Sequence, residues 1–474
     1  MPLSSAFRPS VRHTDLGSDF YNIVAPAVFP HHILRHRNQR WAARVGLDTL
    51  SDEEWIAHFG RFEPLPGSIP EPLALRYHGH QFRSYNPHLG DGRGFLFAQL
   101  HDLRDGRLLD LATKGSGQTP WSRHADGRLT LKGGVREVLA TEMLEALGVE
   151  TSKSFSLVET GEELHRGDEP SPTRSSVLVR LSHSHIRIGT FQRFLYLDQA
   201  DNIRKLLDYT IRTYMPECWR DDEAARATAF LEEVCARVAR MGAQWMAAGF
   251  VHGVLNTDNI NVTGESFDYG PWRFIPVYEP GFTAAYFDET GLYAFGRQPD
   301  ALLWNLFRLA ECLLVIAPQA DLERSLATFE PALHREFSSS LLRRLGLQSE
   351  GPEPDGLLAR AFWTFLHDSK APFEQTMFDW YGGLHSATRA ARSPSAEFYA
   401  HPTFGAVFAA FQGFHAEPGA RLDHAYFTRP TPCSMLIDEV EAIWDSIARS
   451  DDWSKFTQKL SGIATMAEAY GITT

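Results

Sequence analysis

The residues from His252 to Gly270 constrain this chain more than any other stretch. They read His252-Gly253-Val254-Leu255-Asn256-Thr257-Asp258-Asn259 and, a little later, Asp268-Tyr269-Gly270. An amide oxygen and a carboxylate are hard ligands for a small divalent cation that keeps several waters and bridges substrate phosphates. Asn259 and Asp268 are therefore candidate metal ligands. Asn and Asp also favour turns for local reasons, so the loop alone admits a purely structural reading. The segment in front of it narrows the choice. Over 222–248, Leu231, Val234, Cys235, Val238, Met241 and Trp245 recur at steps of three and four, the spacing of an amphipathic helix, and Gly249 ends it. A long helix feeding a loop of this type fits an enzyme whose chemistry sits in a cleft.

Upstream residues complete a phosphate site. Residues 95–100 (FLFAQL) and 108–113 (LLDLAT) read as short buried strands joined through Asp105-Gly106, a hairpin signal. Lys114 ends the second strand. Glu137 follows inside a helix predicted over 134–147, with Val135, Val138, Leu139, Met143 and Leu147 on one side and Gly148 as stop. Protein kinases hold the α- and β-phosphates with a strand lysine paired to a helix glutamate. Their H-R-D-x-x-x-x-N loop and D-F-G sequence have the spacing found at His252, Asn259 and Asp268. A single Lys–Glu pair would be an ordinary surface contact; the conjunction is what carries weight. Gly90-Asp91-Gly92-Arg93-Gly94 precedes the first strand, and its glycines let a backbone approach phosphate oxygens. The same five residues would also make a plain tight turn. Arg180, in the apolar strand 177–181, and Arg187 carry planar forks that suit phosphate oxygens or an acidic neighbour equally.

One departure bears on mechanism. Val254 occupies the place of the kinase catalytic aspartate. Asp258 is the nearest substitute carboxylate; it would either accept a hydroxyl proton or shape the loop by bonding backbone N–H groups. Two histidine pairs, His78/His80 and His183/His185, have the alternation of a strand metal site. No third ligand is evident among 20 histidines, so structural roles are expected for them.

The fold class expected is α+β: a two-lobed, protein-kinase-like fold with a strand-rich N-lobe, a helical C-lobe and an extra helical C-terminal region. Residues 1–73 would be an N-terminal extension packing on the core, 74–200 the N-lobe, 201–350 the C-lobe and 351–474 a helical extension. The Pro-rich run 64–72 and a Gly/Pro break at 351–356 mark joints, a further helix follows Pro299, and residues 320–474 are expected to buttress the larger lobe. Apolar residues at 43% and charged residues at 22% place the chain among globular proteins. The net charge of −13 argues against nucleic acid or an anionic membrane as partner. Four scattered cysteines without CxxC spacing argue against a disulfide framework or zinc. No transmembrane run or secretory signal is seen. Arg8 and Arg12 among serines have the flavour of a transit peptide that Asp15 interrupts, so the cytoplasm is expected, with the mitochondrion as the eukaryotic alternative.

Longer motifs go beyond spacing: YHGHQF (77–82), NPHLGDGRG (86–94), TKGSGQTPWSRHADGR (113–128), REVLATEMLEALG (136–148), HGVLNTDN (252–259), FDYGPW (267–272), PGF (280–282) and QPDALLWNLFRLAECL (298–313). From about residue 20 to 315 the chain resembles the selenoprotein O family of protein adenylyltransferases, kinase-like proteins also described as pseudokinases. The resemblance implies that ATP lies reversed in a kinase-like cleft. AMP then passes to Ser, Thr or Tyr hydroxyls of proteins, the chain itself among the candidates, and pyrophosphate leaves. It also implies Mg²⁺ or Mn²⁺ as cofactor. By the same resemblance Gly90, Gly92 and Arg93 belong to the nucleotide loop, and Lys114 and Glu137 to the ion pair. Asp126 and Gly127 match nucleotide-binding positions, Arg180 and Arg187 the basic pair on the far phosphates, and Asp258 the proton acceptor. Asn259 and Asp268 match the metal ligands, Asp268 also touching the nucleotide. Three features depart from the family. The 426–433 stretch fits its C-terminal motif poorly, no near-terminal cysteine supports a redox role, and Gly133-Gly134 would loosen the start of the Glu137 helix. UMP transfer with Mn²⁺, γ-phosphoryl transfer and a non-catalytic ATP-binding scaffold are the alternatives.

Overall fold

A computed structural model describes residues 4–167 and 169–472; the first three residues of the N-terminal segment and the last two of the chain lie outside the described residues. Short strands β1 (Pro9–Ser10), β2 (Tyr21–Ile23) and β3 (Ile33–Arg37) open the chain, followed by helices α1 (Gln39–Arg44) and α2 (Asp52–Phe59). The Pro-rich connector has no regular structure. Then come β4 (Leu73–Leu75), a small hairpin of β5 (Gly79–Gln81) and β6 (Ser84–Asn86), β7 (Leu96–His101), β8 (Leu108–Lys114), β9 (Leu129–Thr130), α3 (Leu131–Ala146), β10 (Lys153–Leu164) and β11 (Thr173–Ser182). Among the described residues these build a nine-stranded antiparallel sheet. Its order is β2-β4-β7-β8-β11-β10-β3, with β1 added to β7 and β9 to β11; β5 and β6 pair only with each other. Three strands from residues before the Pro-rich connector are therefore integral to the sheet.

Both faces of this sheet are covered, which explains why residues 177–179 and 181 of β11 are apolar on both sides of the strand. Successive strand residues point to opposite faces. Leu178 packs with Val135, Val138 and Leu139 of α3, whereas Val177 and Val179 join Trp55, Phe59 and Phe155 on the other side. Helix α2 is fixed there by a capping box, Ser51 and Glu54 each accepting from the other's backbone N–H.

The rest is helical: α4 (Ile188–Tyr196), α5 (Ala200–Tyr214), α6 (Glu223–Ala247), α7 (Gln298–Leu313), α8 (Gln319–Leu326), α9 (Phe329–Leu345) and α10 (Pro352–Ser369), with shorter helices beyond. A two-strand ladder, β12 (Phe250–Val251) with β13 (Arg273–Phe274), spans the base of the 252–270 loops. The architecture is mixed α and β, with an antiparallel sheet preceding the helices.

Three expectations change. The run 351–356 is a break only at Gly351: residues 352–356 form the first turn of α10, where Pro352 lacks only an N–H that would have no partner anyway. Helix α3 starts at Leu131, earlier than predicted, because Thr130 caps it and its Oγ1 accepts from Gly133 N at 3.1 Å. Gly133-Gly134 thus sit inside a capped first turn. Finally, the last two helices (Ile437–Ser450 and Ser454–Ala469) do more than support other helices. They pack on α3, where Lys132 meets Glu441 at 2.7 Å, and their junction is held by Arg35 and Arg174 on Asp451 at 3.1 and 2.7 Å. All four cysteines are buried and unpaired. Among the described residues no helix is long and apolar enough to cross a membrane.

Candidate active site

Strand register sets the charges in place. In the β8–β11 ladder Lys114 lies opposite Leu178 and Ala112 opposite Arg180. Lys114 and Arg180 are therefore diagonal neighbours on one face. That face is the one α3 covers, and α3 brings the buried Glu137 to it. Lys114 Nζ lies 2.6 Å from Glu137 Oε2 and 3.0 Å from Asp268 Oδ1; Arg180 lies 3.0 Å from Asp268 Oδ1 and 3.5 Å from Glu137 Oε1. Four charges of alternating sign, separated by up to 154 positions in sequence, close into one ring. Burial alone would raise the Asp268 carboxyl, but Lys114, Arg180, Arg187 and Arg93 outweigh it and hold the group well below the usual carboxylate range.

Asp268 adopts the left-handed backbone region, φ 62°. Asp tolerates that conformation better than most residues, at about 1 kcal/mol, and such outliers concentrate at functional sites. The loops around it are locked from behind. His252 Nε2 bonds the Phe267 carbonyl at 2.9 Å, and His252 N donates to Gln298 Oε1 at 3.0 Å. Asn305 Nδ2 of α7 donates to the Leu255 carbonyl at 2.9 Å. His252 is thus a buried strut between the two loops.

Thr257, Asp258 and Asn259 form a single 3₁₀ turn. Asn259 Nδ2 donates to the Val254 carbonyl at 3.1 Å, which turns its amide oxygen away from that bond. Asp258 Oδ1 is enclosed without a hydrogen-bond partner among the described residues. Burial pushes the Asp258 carboxyl up to about 7 against the opposing pull of Arg187. Arg187, just ahead of α4, pairs with Asp91 at 3.1 Å and lies 4.0 Å over the Tyr77 ring. Asp91 and Tyr77 were not singled out by sequence reasoning, since no spacing rule links residue 91 or 77 to residue 187. Asp91 was visible only as the residue between Gly90 and Gly92.

The glycine loop serves packing as well as approach. A Cβ on Gly90 would stand 2.4 Å from Trp121 Cγ. The 119–122 segment crosses the loop there, Thr119 Oγ1 donating to the Asp91 carbonyl and Ser122 Oγ to the Gly92 carbonyl, each at 2.5 Å. The Arg93 carbonyl accepts from Gly115 N at 2.6 Å, tying the loop to the end of β8; the Arg93 side chain is exposed. Asp126 stands apart from the charged ring and pairs with Arg166 at 2.8 Å. Gly127 has φ 68°, and a Cβ there would lie 2.3 Å from the Gly117 carbonyl. Gly127→Ala is expected to cost roughly 2–3 kcal/mol and lower the apparent melting temperature; an unchanged melting curve would show that the crossing loop relaxes freely. His78 bonds Tyr85 and Arg193, and His80 bonds Gln192, so both rings have partners within the protein.

The donor set fits a hard divalent cation. Both ion pairs of Asp268 fall on Oδ1, leaving Oδ2, and the Asn259 amide oxygen is uncommitted. Among the described residues, a separate group of ligand type, Glu217 with Cys218 and Glu233, is bridged by Arg237 at 3.0 and 2.6 Å and lies outside this site.

Comparison with known proteins bears on the chain as a whole. The family model described as "Protein adenylyltransferase SelO" matches residues 3–464. The chain is 46% identical over 454 residues to "Protein nucleotidyltransferase YdiU" of Gloeobacter violaceus, covering 93% of this chain and 92% of that one. A protein of the same name from Trichodesmium erythraeum is 40% identical over 482 residues, 97% of this chain and 98% of the other. One from Synechococcus elongatus is 53% identical over 337 residues, 71% and 67% of the two chains. The chain belongs to the SelO family of protein adenylyltransferases, a family of nucleotidyltransferase enzymes.

Proposed function

We propose that this chain transfers AMP from ATP to Ser, Thr or Tyr hydroxyls of other proteins and of itself, with Mg²⁺ or Mn²⁺ as cofactor and pyrophosphate as the leaving group. The reading includes a two-lobed kinase-like arrangement, with the nucleotide between the sheet and the helical part. The single observation that carries it is the ring of Lys114, Glu137, Arg180 and Asp268, with Asp258 and Arg187 beside it.

The residues divide the work as follows. Lys114, Arg180 and Arg187 supply fixed positive charge for the phosphates in a site largely shielded from water, where electrostatic stabilisation is strong. Glu137 keeps Lys114 in place. Gly90, Gly92 and Arg93, with Asp126 and Gly127 in the loop that crosses them, bound the nucleotide. A divalent cation held by Asn259 and Asp268 neutralises phosphate charge when bound. The acceptor oxygen forms a bond to the α-phosphorus, the bond from that phosphorus to pyrophosphate breaks, and the hydroxyl proton passes to Asp258. Val254 offers no carboxylate where a kinase has one, which counts against γ-phosphoryl transfer.

Purified protein incubated with Mg²⁺ or Mn²⁺ and ATP labelled at either the α- or the γ-phosphate tests this directly. Label from the α-position alone is expected, on the chain and on added proteins. Label from the γ-position alone would overturn the reading. A parallel arm with α-labelled UTP is informative because the relatives' name, nucleotidyltransferase, does not specify the base.

A further inference from the structure

Three aromatic side chains stand exposed beside the catalytic loop: Phe82 at 38%, Phe287 at 46% and Tyr286 at 84%. They form one patch. The Phe82 and Phe287 ring centroids are 5.9 Å apart, those of Tyr286 and Phe287 5.1 Å, and Phe82 leans on Tyr293 at 5.0 Å. Clustered exposed aromatic surface costs solubility and marks interaction sites far more often than scattered apolar residues do.

The patch is built from two ordered halves. Phe82 and Arg83 are the central residues of the β5–β6 hairpin, and both have left-handed φ values, 49° and 64°. Turns of that geometry prefer Asn-Gly, and bulky residues there cost about 1 kcal/mol each. The strain presents a phenylalanine and an arginine at a tip where glycine would be easier. The other half is the 285–293 loop. The Asp288 carboxylate accepts from Leu292 N and Tyr293 N, both at 2.8 Å, which fixes the turn and leaves Tyr286 and Phe287 projecting.

One residue joins both halves to the chemistry. Asn256 Oδ1 accepts from Phe82 N at 3.1 Å and from Tyr293 OH at 2.9 Å. Thr257 Oγ1 accepts from His80 N at 2.7 Å, so the hairpin is bonded to the two residues directly before Asp258. Asn256 and Asp258 are two residues apart, at most about 7 Å of chain. The patch and Asp258 therefore belong to one rigid unit.

We propose that Phe82, Tyr286 and Phe287 are the docking surface for the acceptor polypeptide, and that they select an extended segment with apolar side chains a few residues from the hydroxyl. Continuity with the Asp258 loop identifies the occupant, because whatever binds here is presented to the same carboxylate. The inference rests on the transferase reading above and adds the substrate class to it.

Two fluorescent peptides test it, each with one central Ser, flanked in one by Leu and Phe and in the other by Gly and Asn. Binding is read by anisotropy, without catalysis, and transfer by α-labelled ATP. The wild-type protein is expected to favour the apolar peptide by about tenfold in Kd and KM. Tyr286→Ala/Phe287→Ala is expected to erase that preference while the ATP-dependent rise in melting temperature stays as in wild type. Phe287→Ala alone provides the same readout at about half the effect on a logarithmic scale. Equal affinity for the two peptides, or a preference that survives both variants, would overturn the proposal. A preference in anisotropy with no transfer of label would uphold the docking surface and sink the transferase reading.

Discussion

Asp268→Ala is expected to abolish transfer of the α-phosphate label, lowering it by about a thousandfold or more, the equivalent of ~4 kcal/mol of lost transition-state stabilisation. Two losses combine. One hard oxygen ligand disappears from the candidate metal set, and Lys114 and Arg180 lose the carboxylate oxygen that both approach at 3.0 Å. Glu137 is left to face two cations alone. Removing one partner from a buried ionic cluster is costly because the remaining charges stay desolvated. The variant should therefore also melt at a lower temperature than wild type at pH 7 in the presence of a chelator. The sign with pH follows from the depressed Asp268 carboxyl. Its contribution to stability is present above the ordinary carboxylate pKa and lost as pH falls through its folded value, so the gap between wild type and variant should narrow in acid. Asp268→Asn separates the two losses, since it keeps shape and one oxygen but no charge. A variant at this position that transferred label within tenfold of wild type would remove Asp268 from the machinery.

The distribution of legible and illegible features follows from what sequence separation can encode. Helix α6 was readable because a 25-residue amphipathic pattern repeats its own phase many times. The β7–β8 hairpin was readable because Asp105-Gly106 is a local signal between two apolar runs. Lys114, Glu137, Asn259 and Asp268 could be named because their positions follow a motif order. Their closure into a ring depended on the β8–β11 register, which puts Arg180 diagonal to Lys114 and which no local pattern states. Asp91 meeting Arg187 is harder still, a contact across 96 positions made by a residue that reads as filler between glycines. Strands β1 to β3 escaped notice for another reason. They are two to five residues long, and Ile33–Arg37, with sequence ILRHR, has no apolar alternation; pairing with β10 makes it a strand. The start of α10 was misread because Pro and Gly are ambiguous, breaking a helix in its interior but fitting its first turn.

Asp258→Asn gives the second large effect and decides between the two roles open to that residue. If Asp258 accepts the hydroxyl proton, the amide cannot, and transfer should fall by about 10²- to 10⁴-fold with ATP binding retained. If it only shapes the turn, asparagine keeps the hydrogen-bonding geometry and most of the activity. Stability supplies an independent reading in which the variant should gain. The Asp258 carboxyl is raised from 3.8 to about 7, with burial the largest cause. A group raised in the folded state favours folding only while protonated there. Its contribution is fully present below 3.8 and is lost as pH rises through about 7. Above that, wild type holds a charge in an enclosed position with no hydrogen bond to Oδ1, whereas asparagine is neutral at every pH. In chelator-treated protein, Asp258→Asn should therefore raise the melting temperature more at pH 8 than at pH 5. A variant that is both more stable at pH 8 and inactive would mark Asp258 as a residue retained at a cost in stability for what it does to the acceptor. A variant that keeps most of its activity and gains no stability at pH 8 would instead make it part of the loop's scaffold.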